Sequence, residues 1–325
     1  MQQIIDNIFS VTAQSFNDCT LQLCRYQYAN NLVYRAWVDA LRVNVNELQS
    51  ITDIPFLPIS FFKSHMVFSG NFVPEIVFES SGTTGIVSSK HAVKDAELYR
   101  QSYLKGFQAF YGDISEWCII GLLPSYLERN GSSLVVMVDD LIKLSGHPQS
   151  GFYLNEFNKL GEVLGELELK KQQTLVIGVT FALLDFAEQF PMNLQYTTIM
   201  ETGGMKGRRK EMIRAEVHEF LKKQFKLQKI HSEYGMTELL SQGYSKGDGV
   251  FSHVPWMKIL IRDEDDPLKV SDEGKGLINV IDLANLHSCS FIATDDVGKV
   301  NEDGRFEVIG RMDNSDIRGC SLMFM

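Results

Sequence analysis

Between residues 73 and 225, short apolar runs take turns with longer stretches of helical spacing, and this alternation narrows the fold more than any other feature. Residues 73–78 read as a strand followed by a loop and a helix over 95–111. Residues 117–123 and 134–138 are strand-like, and 152–169 are helical. A strand over 175–179, a helix over 182–190, a strand over 197–201 and a helix over 210–225 complete the series. Strands separated by helices pair side by side in one direction, because each helix supplies the crossover. The expected fold class is therefore α/β, a mostly parallel sheet covered by helices.

The flanks differ. Residues 1–50 look helical: Ile4, Ile5, Ile8 and Phe9 share one face, and Asn17 or Asp18 could cap a second run through Leu21, Leu23 and Tyr26. Residues 55–62, rich in Pro and aromatics, suggest an extended segment feeding the core. After about residue 245 the runs 257–261, 276–283, 291–294 and 306–310 are short and separated by turn residues, which predicts a β-rich region. The expected organisation is a helical segment (1–50), an α/β core (51–245), a β-rich subdomain of that core (246–310) and a short tail (311–325).

Composition removes several function classes. With 31 basic and 41 acidic residues the net charge is −10, a poor basis for broad binding to nucleic acid or an anionic membrane. No stretch approaches the roughly 20 apolar residues needed to cross a bilayer, and the N-terminus has no basic region of the signal-peptide kind. The five cysteines, Cys19, Cys24, Cys118, Cys289 and Cys320, are scattered, without paired metal-ligand spacing. A reduced, cytoplasmic protein without structural zinc is expected.

The most telling local feature is the loop Ser80, Ser81, Gly82, Thr83, Thr84, Gly85, with Lys90 beyond it. Hydroxyls and glycines after a strand can wrap amides and hydroxyls around phosphate oxygens. The same composition also describes an ordinary surface loop. A Walker A loop needs Lys-Ser or Lys-Thr directly after its last glycine, and Ile86 follows Gly85, so that reading fails.

Downstream lie Tyr234, Gly235, Met236, Thr237 and Glu238, then Thr294, Asp295 and Asp296, and then Gly310, Arg311, Met312 and Asp313. A hydroxyl-rich glycine loop, Tyr-Gly-x-Thr-Glu, Thr-x-Asp and Gly-Arg-x-Asp, in that order, resemble the adenylate-forming superfamily. Within it the chain looks most like acyl-protein synthetases of the LuxE type. Residues 122–134, the Glu201, Thr202, Gly203, Gly204 stretch, and the Arg318, Gly319, Cys320 ending carry that nearer likeness. The resemblance spans about residues 55–325.

It implies the large-domain fold of those enzymes, with ATP and Mg2+ as cofactors and a carboxylic acid, chiefly a fatty acid, as substrate. Carried onto matching positions, 80–85 would hold the β- and γ-phosphates. Gly203 and Gly204 would flank the adenine, Tyr234 would stack on it, and Gly235 would also belong to the nucleotide-binding set. Thr237 would bond the α-phosphate, Glu238 would hold magnesium, Asp296 would accept the ribose hydroxyls, and Arg311 would reach ribose or phosphate. Residue by residue, Tyr234 could equally be a core tyrosine and Glu238 a carboxylate at a helix N-terminus. His231 could be a pocket residue or a satisfied core histidine.

Superfamily members usually continue past the Gly-Arg-x-Asp hinge into a mobile domain with a catalytic lysine. This chain has fifteen residues after Gly310, so that domain is expected to be absent. Cys320 sits where the LuxE-type family has a cysteine that receives the acyl group, and the partner implied is an acyl-CoA-reductase-like acceptor. A free cysteine in a packed tail is the plain alternative. Transfer to coenzyme A, or an inactive nucleotide-binding subunit, are the rival functions. The second is motivated by the displaced Lys90 and by Asp295 where the family has glycine.

Overall fold

The computed structural model describes residues 8–80, 87–123, 131–154, 156–203 and 212–312. A short 3-10 turn (Ile8–Ser10) leads into two helices, α1 (Ala13–Asn30) and α2 (Leu32–Ala40). Helix α1 starts earlier than expected: the Thr12 side chain accepts from the Ser15 amide, a capping interaction, while Asn17 and Asp18 lie on the exposed face. Ile4 and Ile5 lie outside the described residues. The extended segment is seen as β1 (Leu57–Pro58), with Phe56, Leu57 and Phe62 buried, followed by the single turn α3 (Phe61–Ser64).

A hairpin comes next, β2 (Ile76–Glu79) and β3 (Lys90–Val93), paired antiparallel so that Glu79 faces Lys90. The glycine loop is the connection of this hairpin. It leads into a strand rather than directly into a helix, so Lys90 belongs to β3. Helix α4 (Ala96–Tyr111) follows, capped by the Asp95 carboxylate, which accepts from the Glu97 and Leu98 amides.

The alternating region then runs β4 (Cys118–Leu122), α5 (Ser133–Ser145), β5 (Gly151–Phe152), α6 (Phe157–Leu169), β6 (Thr174–Gly178), α7 (Thr180–Gln189), β7 (Thr197–Glu201), α8 (Arg214–Phe225) and β8 (His231–Tyr234). The run 134–138, expected as a strand, is the start of α5. A five-residue apolar run does not distinguish the two. Here the Ser132 hydroxyl accepts from the Val135 amide, and Met137, Val138 and Leu141 recur on a buried helical face. Helix α6 begins at Phe157 rather than 152, because Gly151 and Phe152 extend beside β4.

Strands β5, β4, β6, β7 and β8 pair in parallel, in that order. Beyond them come β9 (Gly243–Ser245), β10 (Val250–His253), β11 (Met257–Arg262), β12 (Val270–Ser271), β13 (Gly274–Asp282), β14 (Phe291–Val300) and β15 (Phe306–Arg311). From β8 onward the sheet continues antiparallel through β9, β10, β15, β14, β13, β11 and β12. Strand β1 joins β14 in parallel, Leu57 beside Ile292. The α/β fold is as expected, with its parallel half and its antiparallel half in one continuous sheet.

The chain leaves the sheet after Tyr234 and returns at Gly243, and buried polar groups fix the turn between. Asp282, fully buried at the end of β13, accepts from the amides of Leu240 (2.8 Å), Ser241 (3.0 Å) and Ala284 (3.1 Å), and from the Ser241 hydroxyl (2.6 Å). Burial pushes its carboxyl up to about 6, with the four donors pulling the other way. Asn285 donates to the Glu238 carbonyl (2.6 Å). His91 on β3 spans from the Thr237 carbonyl (2.8 Å) to the Asn285 side-chain oxygen (2.9 Å). Helix α1 braces the far side, where Gln27 donates to the carbonyls of Asn285 and Leu286.

Both Asp282 oxygens face two donors, so an amide placed there meets N–H groups whichever way it is flipped. Asp282→Asn should therefore destabilise the fold by about 3 kcal/mol, read as a lower urea midpoint at pH 7.

Candidate functional site

A cavity of about 590 Å3 opens where β8 ends. Its walls bring together residues far apart in the chain: Ser80, Gly203, Tyr234, Gly235, Thr237, Glu238, Asp296 and Arg311, every one a candidate from the sequence. Ser81, Gly82, Thr83, Thr84, Gly85, Gly204 and Cys320 lie outside the described residues. Lys63, Ser89, Tyr99, Arg214, Glu233 and Gln242 also line the cavity and were not singled out.

Strand alternation sends neighbours on β8 to opposite faces. Tyr234 goes toward Phe251 and Phe306, which it meets edge-on at 6.1 and 5.5 Å, and its hydroxyl donates to Asp296 at 2.9 Å. It is thus both a core residue and a cavity wall. Asp296 stands opposite Arg311 across the β14–β15 pairing. Burial pushes its carboxyl above the usual range, against the Tyr234 hydroxyl and Arg311. Asp296 lines the cavity and its neighbour Asp295 does not. The Arg311 guanidinium approaches Asp296 only to 4.0 Å and Asp295 to 3.9 Å, and its side chain is 64% exposed. Such pairs contribute about 0–1 kcal/mol, which leaves the guanidinium free to bind an anion.

Gly203 follows β7 in the left-handed region (φ +76), with open space where a side chain would begin. Beneath it Glu201 is buried, with Arg214 3.7 Å away. One Glu201 oxygen and the Arg214 Nε lack a hydrogen-bond partner. Burial raises the Glu201 carboxyl, and Arg214 lowers it.

Thr237 and Glu238 sit in a turn, so no helix dipole acts on Glu238. Its carboxyl is buried and raised by that burial, against the Ser89 hydroxyl, its own amide, Arg311 and Lys63. Ser89 is held by a double tie to Ser80: its amide donates to the Ser80 hydroxyl (2.8 Å), and the Ser80 amide to its carbonyl (3.0 Å). Lys90, which does not line the cavity, pairs at 3.6 Å with Glu79, which does, while Lys63 supplies an ammonium at the wall. His231 is half-buried and does not line the cavity; its ring lies 3.1 Å from the Tyr111 hydroxyl, and burial lowers it to about 4. Among the described residues no cluster of three or more His, Cys, Asp or Glu could hold a metal. One carboxylate among hydroxyls fits instead a magnesium ion carried largely by phosphate oxygens.

Glu233 faces the opposite side of β8, beside Tyr244, its partner across the strand pair. Burial, and then the Glu201 charge, push its carboxyl up to about 8. Unfolded, the group titrates near 4.5, so between about 4.5 and 8 the unfolded chain releases a proton that the folded one keeps. The wild type must lose stability as pH rises through that window. Glu233→Gln should remove the loss, with a gain over wild type that grows from pH 4.5 to 8 toward about 2–4 kcal/mol and then levels, measured by thermal melts across pH.

Residues 173–325 match the family model described as acyl-protein synthetase, LuxE. The long-chain-fatty-acid–luciferin-component ligase of Aliivibrio fischeri is 24% identical, over 91% of this chain and 84% of its own. A 2-hydroxyisobutyryl-CoA ligase structure, solved with 2-HIB-AMP and CoA, superposes with a TM-score of 0.63 at 13% identity, covering 95% of this chain and 71% of that one. ATP-bound MatB from Rhodopseudomonas palustris gives 0.52 at 14% identity over 74% of this chain, which spans 49% of MatB. No helix among the described residues is long and apolar enough to cross a membrane. In family terms the chain is therefore similar to LuxE-type acyl-protein synthetases, most securely over residues 173–325, and it carries the fold of adenylate-forming ligases.

Proposed function

We propose that the chain is an ATP-dependent acyl-protein synthetase. It would activate a carboxylic acid of the fatty type as an acyl-adenylate and then pass the acyl group to a thiol. The observation that carries this reading is the convergence of Ser80, Gly203, Tyr234, Thr237, Glu238, Asp296 and Arg311 on one cavity.

The adenine would lie over the open face of Gly203 against Tyr234, whose ring suits a purine. Asp296, oriented by the Tyr234 hydroxyl, would accept from the ribose hydroxyls. Arg311, Lys63 and the hydroxyls of Ser80, Ser89 and Thr237 would meet the phosphates. Magnesium, bound with the nucleotide, would neutralise phosphate charge, with Glu238 as its protein ligand. The acid would enter from the side of Tyr99, Leu134 and Met137.

The first step forms a bond from the acid's carboxylate oxygen to the α-phosphorus and breaks the bond to the β-phosphate bridge, so pyrophosphate leaves. These residues position and neutralise; none becomes covalent. In the second step a thiolate adds to the acyl carbonyl and AMP departs with the electron pair of the C–O bond. Cys320 is the proposed first acceptor on the strength of the family likeness, and a reductase-type protein the next. The described cysteines are free thiols, and burial raises Cys24, Cys118 and Cys289, which makes them poor nucleophiles. Thiol transfer of this kind suits a reducing compartment such as the cytoplasm.

The wild type should support ATP–pyrophosphate exchange that needs both an acid and magnesium. Asp296→Ala should raise KM for ATP roughly tenfold or more. Glu238→Gln should lower kcat at saturating ATP, with the loss partly offset by high magnesium. The absence of exchange across short, long and substituted acids would sink the reading. Intact-mass measurement after incubation with ATP and acid should show a hydroxylamine-labile adduct that Cys320→Ser abolishes. Product appearing only as acyl-CoA would assign transfer to coenzyme A instead.

A further inference from the structure

Glu233 lines the cavity from the face of β8 opposite Tyr234. Its carboxyl lies against the backbone at Gly235: a side chain added there would collide with the Glu233 oxygen and meet Gln242 at 3.5 Å. Glycine makes room for the carboxyl at this point. Tyr244 faces it across the strand pair, and Tyr99 lines the same cavity. The Tyr99 hydroxyl donates to the Ser133 carbonyl at 3.0 Å, so it is already engaged. Arg214 lies 3.7 Å from Glu201 and donates to the Val308 carbonyl at 2.8 Å. Among the described residues, no side chain or backbone group donates to the Glu233 carboxyl.

The carboxyl lines the cavity with no donor among the described residues, so a plain alkyl chain packed against it would remove its water and return nothing. An acid carrying an O–H or N–H at that depth would supply the missing donor. Desolvation and the Glu201 charge favour its protonated form, which can both donate to and accept from a hydroxyl. An ammonium would instead draw the proton off and form an ion pair.

We propose that Glu233 recognises a hydrogen-bond donor, a hydroxyl or an amine, borne on the carbon chain of the acid substrate, so that substituted acids are preferred over plain alkyl ones. This rests on the acid-adenylating reading above. A site that offers a buried polar group to a substrate donor rejects the analogue lacking it far more strongly than an apolar wall rejects an extra group.

Exchange kinetics on matched acids test it: plain alkanoates of six to twelve carbons, chosen as about the range an apolar wall can take, against hydroxy and amino acids of equal length with the substituent moved along the chain. For wild type, at least one substituted acid should exceed its plain counterpart in kcat/KM by roughly thirtyfold or more, through KM for the acid. Glu233→Leu should bring that ratio close to one while KM for ATP stays within about twofold. Glu233→Gln, isosteric and able to fold even if the leucine variant does not, should keep a hydroxyl preference and lose an amine preference by about tenfold. Plain acids used by wild type as well as every substituted acid would overturn the inference and leave the adenylation reading standing. So would ratios unchanged in both variants. No exchange with any acid by protein that binds ATP in equilibrium dialysis would remove the reading and the inference together.

Discussion

The site depends on one buried carboxylate. Asp282 holds the backbone of Leu240 and Ser241, and Asn285 and His91 hold the carbonyls of Glu238 and Thr237, all from outside the cavity. With its carbonyls tied back, the turn can present the Thr237 and Glu238 side chains only inward. These ties come from β3, β13 and the segment after it, and Gln27 joins them from α1. The N-terminal helix, the glycine-loop hairpin and the antiparallel half thus meet behind the turn. A charged hydrogen bond in a dry interior is worth about 1.5–3 kcal/mol, more than any surface ion pair on the molecule.

The hairpin gains its function from the same arrangement. Its β3 strand carries His91 into the network, and Ser89 just before that strand bonds the Glu238 carboxyl, so the ends of the glycine loop and the Glu238 turn are coupled. On the other side, the Glu79 amide donates to the Gly131 carbonyl, tying the hairpin to the entry of α5. The hairpin therefore stands between the two walls that a nucleotide and an acid would touch. The displaced Lys90 loses little in this geometry. Lys63, brought in by the docking of β1 beside β14, provides a cation where Lys90 does not reach.

What the sequence disclosed follows the range of each signal. Periodicity is local, so β4, β6, β7, α4 and α7 were legible within a few residues. The run 134–138 was not, because its helical period emerges only with Leu141. That β8 to β15 continue the same sheet was hidden, since antiparallel pairing across long connections leaves no mark on spacing. Motif residues converge because each motif marks a bend at a strand end. Lys63 and Ser89 carry no such mark; tertiary docking alone brings them in. Glu233 did leave a trace: an acid beside a buried aromatic in a strand must face either water or a cavity.

On the proposed reading, that last residue would let one short strand serve two ligands. Tyr234 and Glu233 are consecutive, and strand alternation alone sends the ring to Asp296 and the carboxyl toward Tyr99. A nucleotide on the Tyr234 side and an acid on the Glu233 side would therefore be separated by the thickness of a single strand. They can communicate only past its end, where Gly235 and the Thr237–Glu238 turn lie. An acid reaching from one half and a phosphate from the other must meet at that gap, beside the turn that Asp282 holds. Because the acid's carboxylate would have to reach the gap, the depth of Glu233 along the strand would fix how far along the carbon chain a recognised donor can sit. The same strand that would divide the ligands would thus measure one of them.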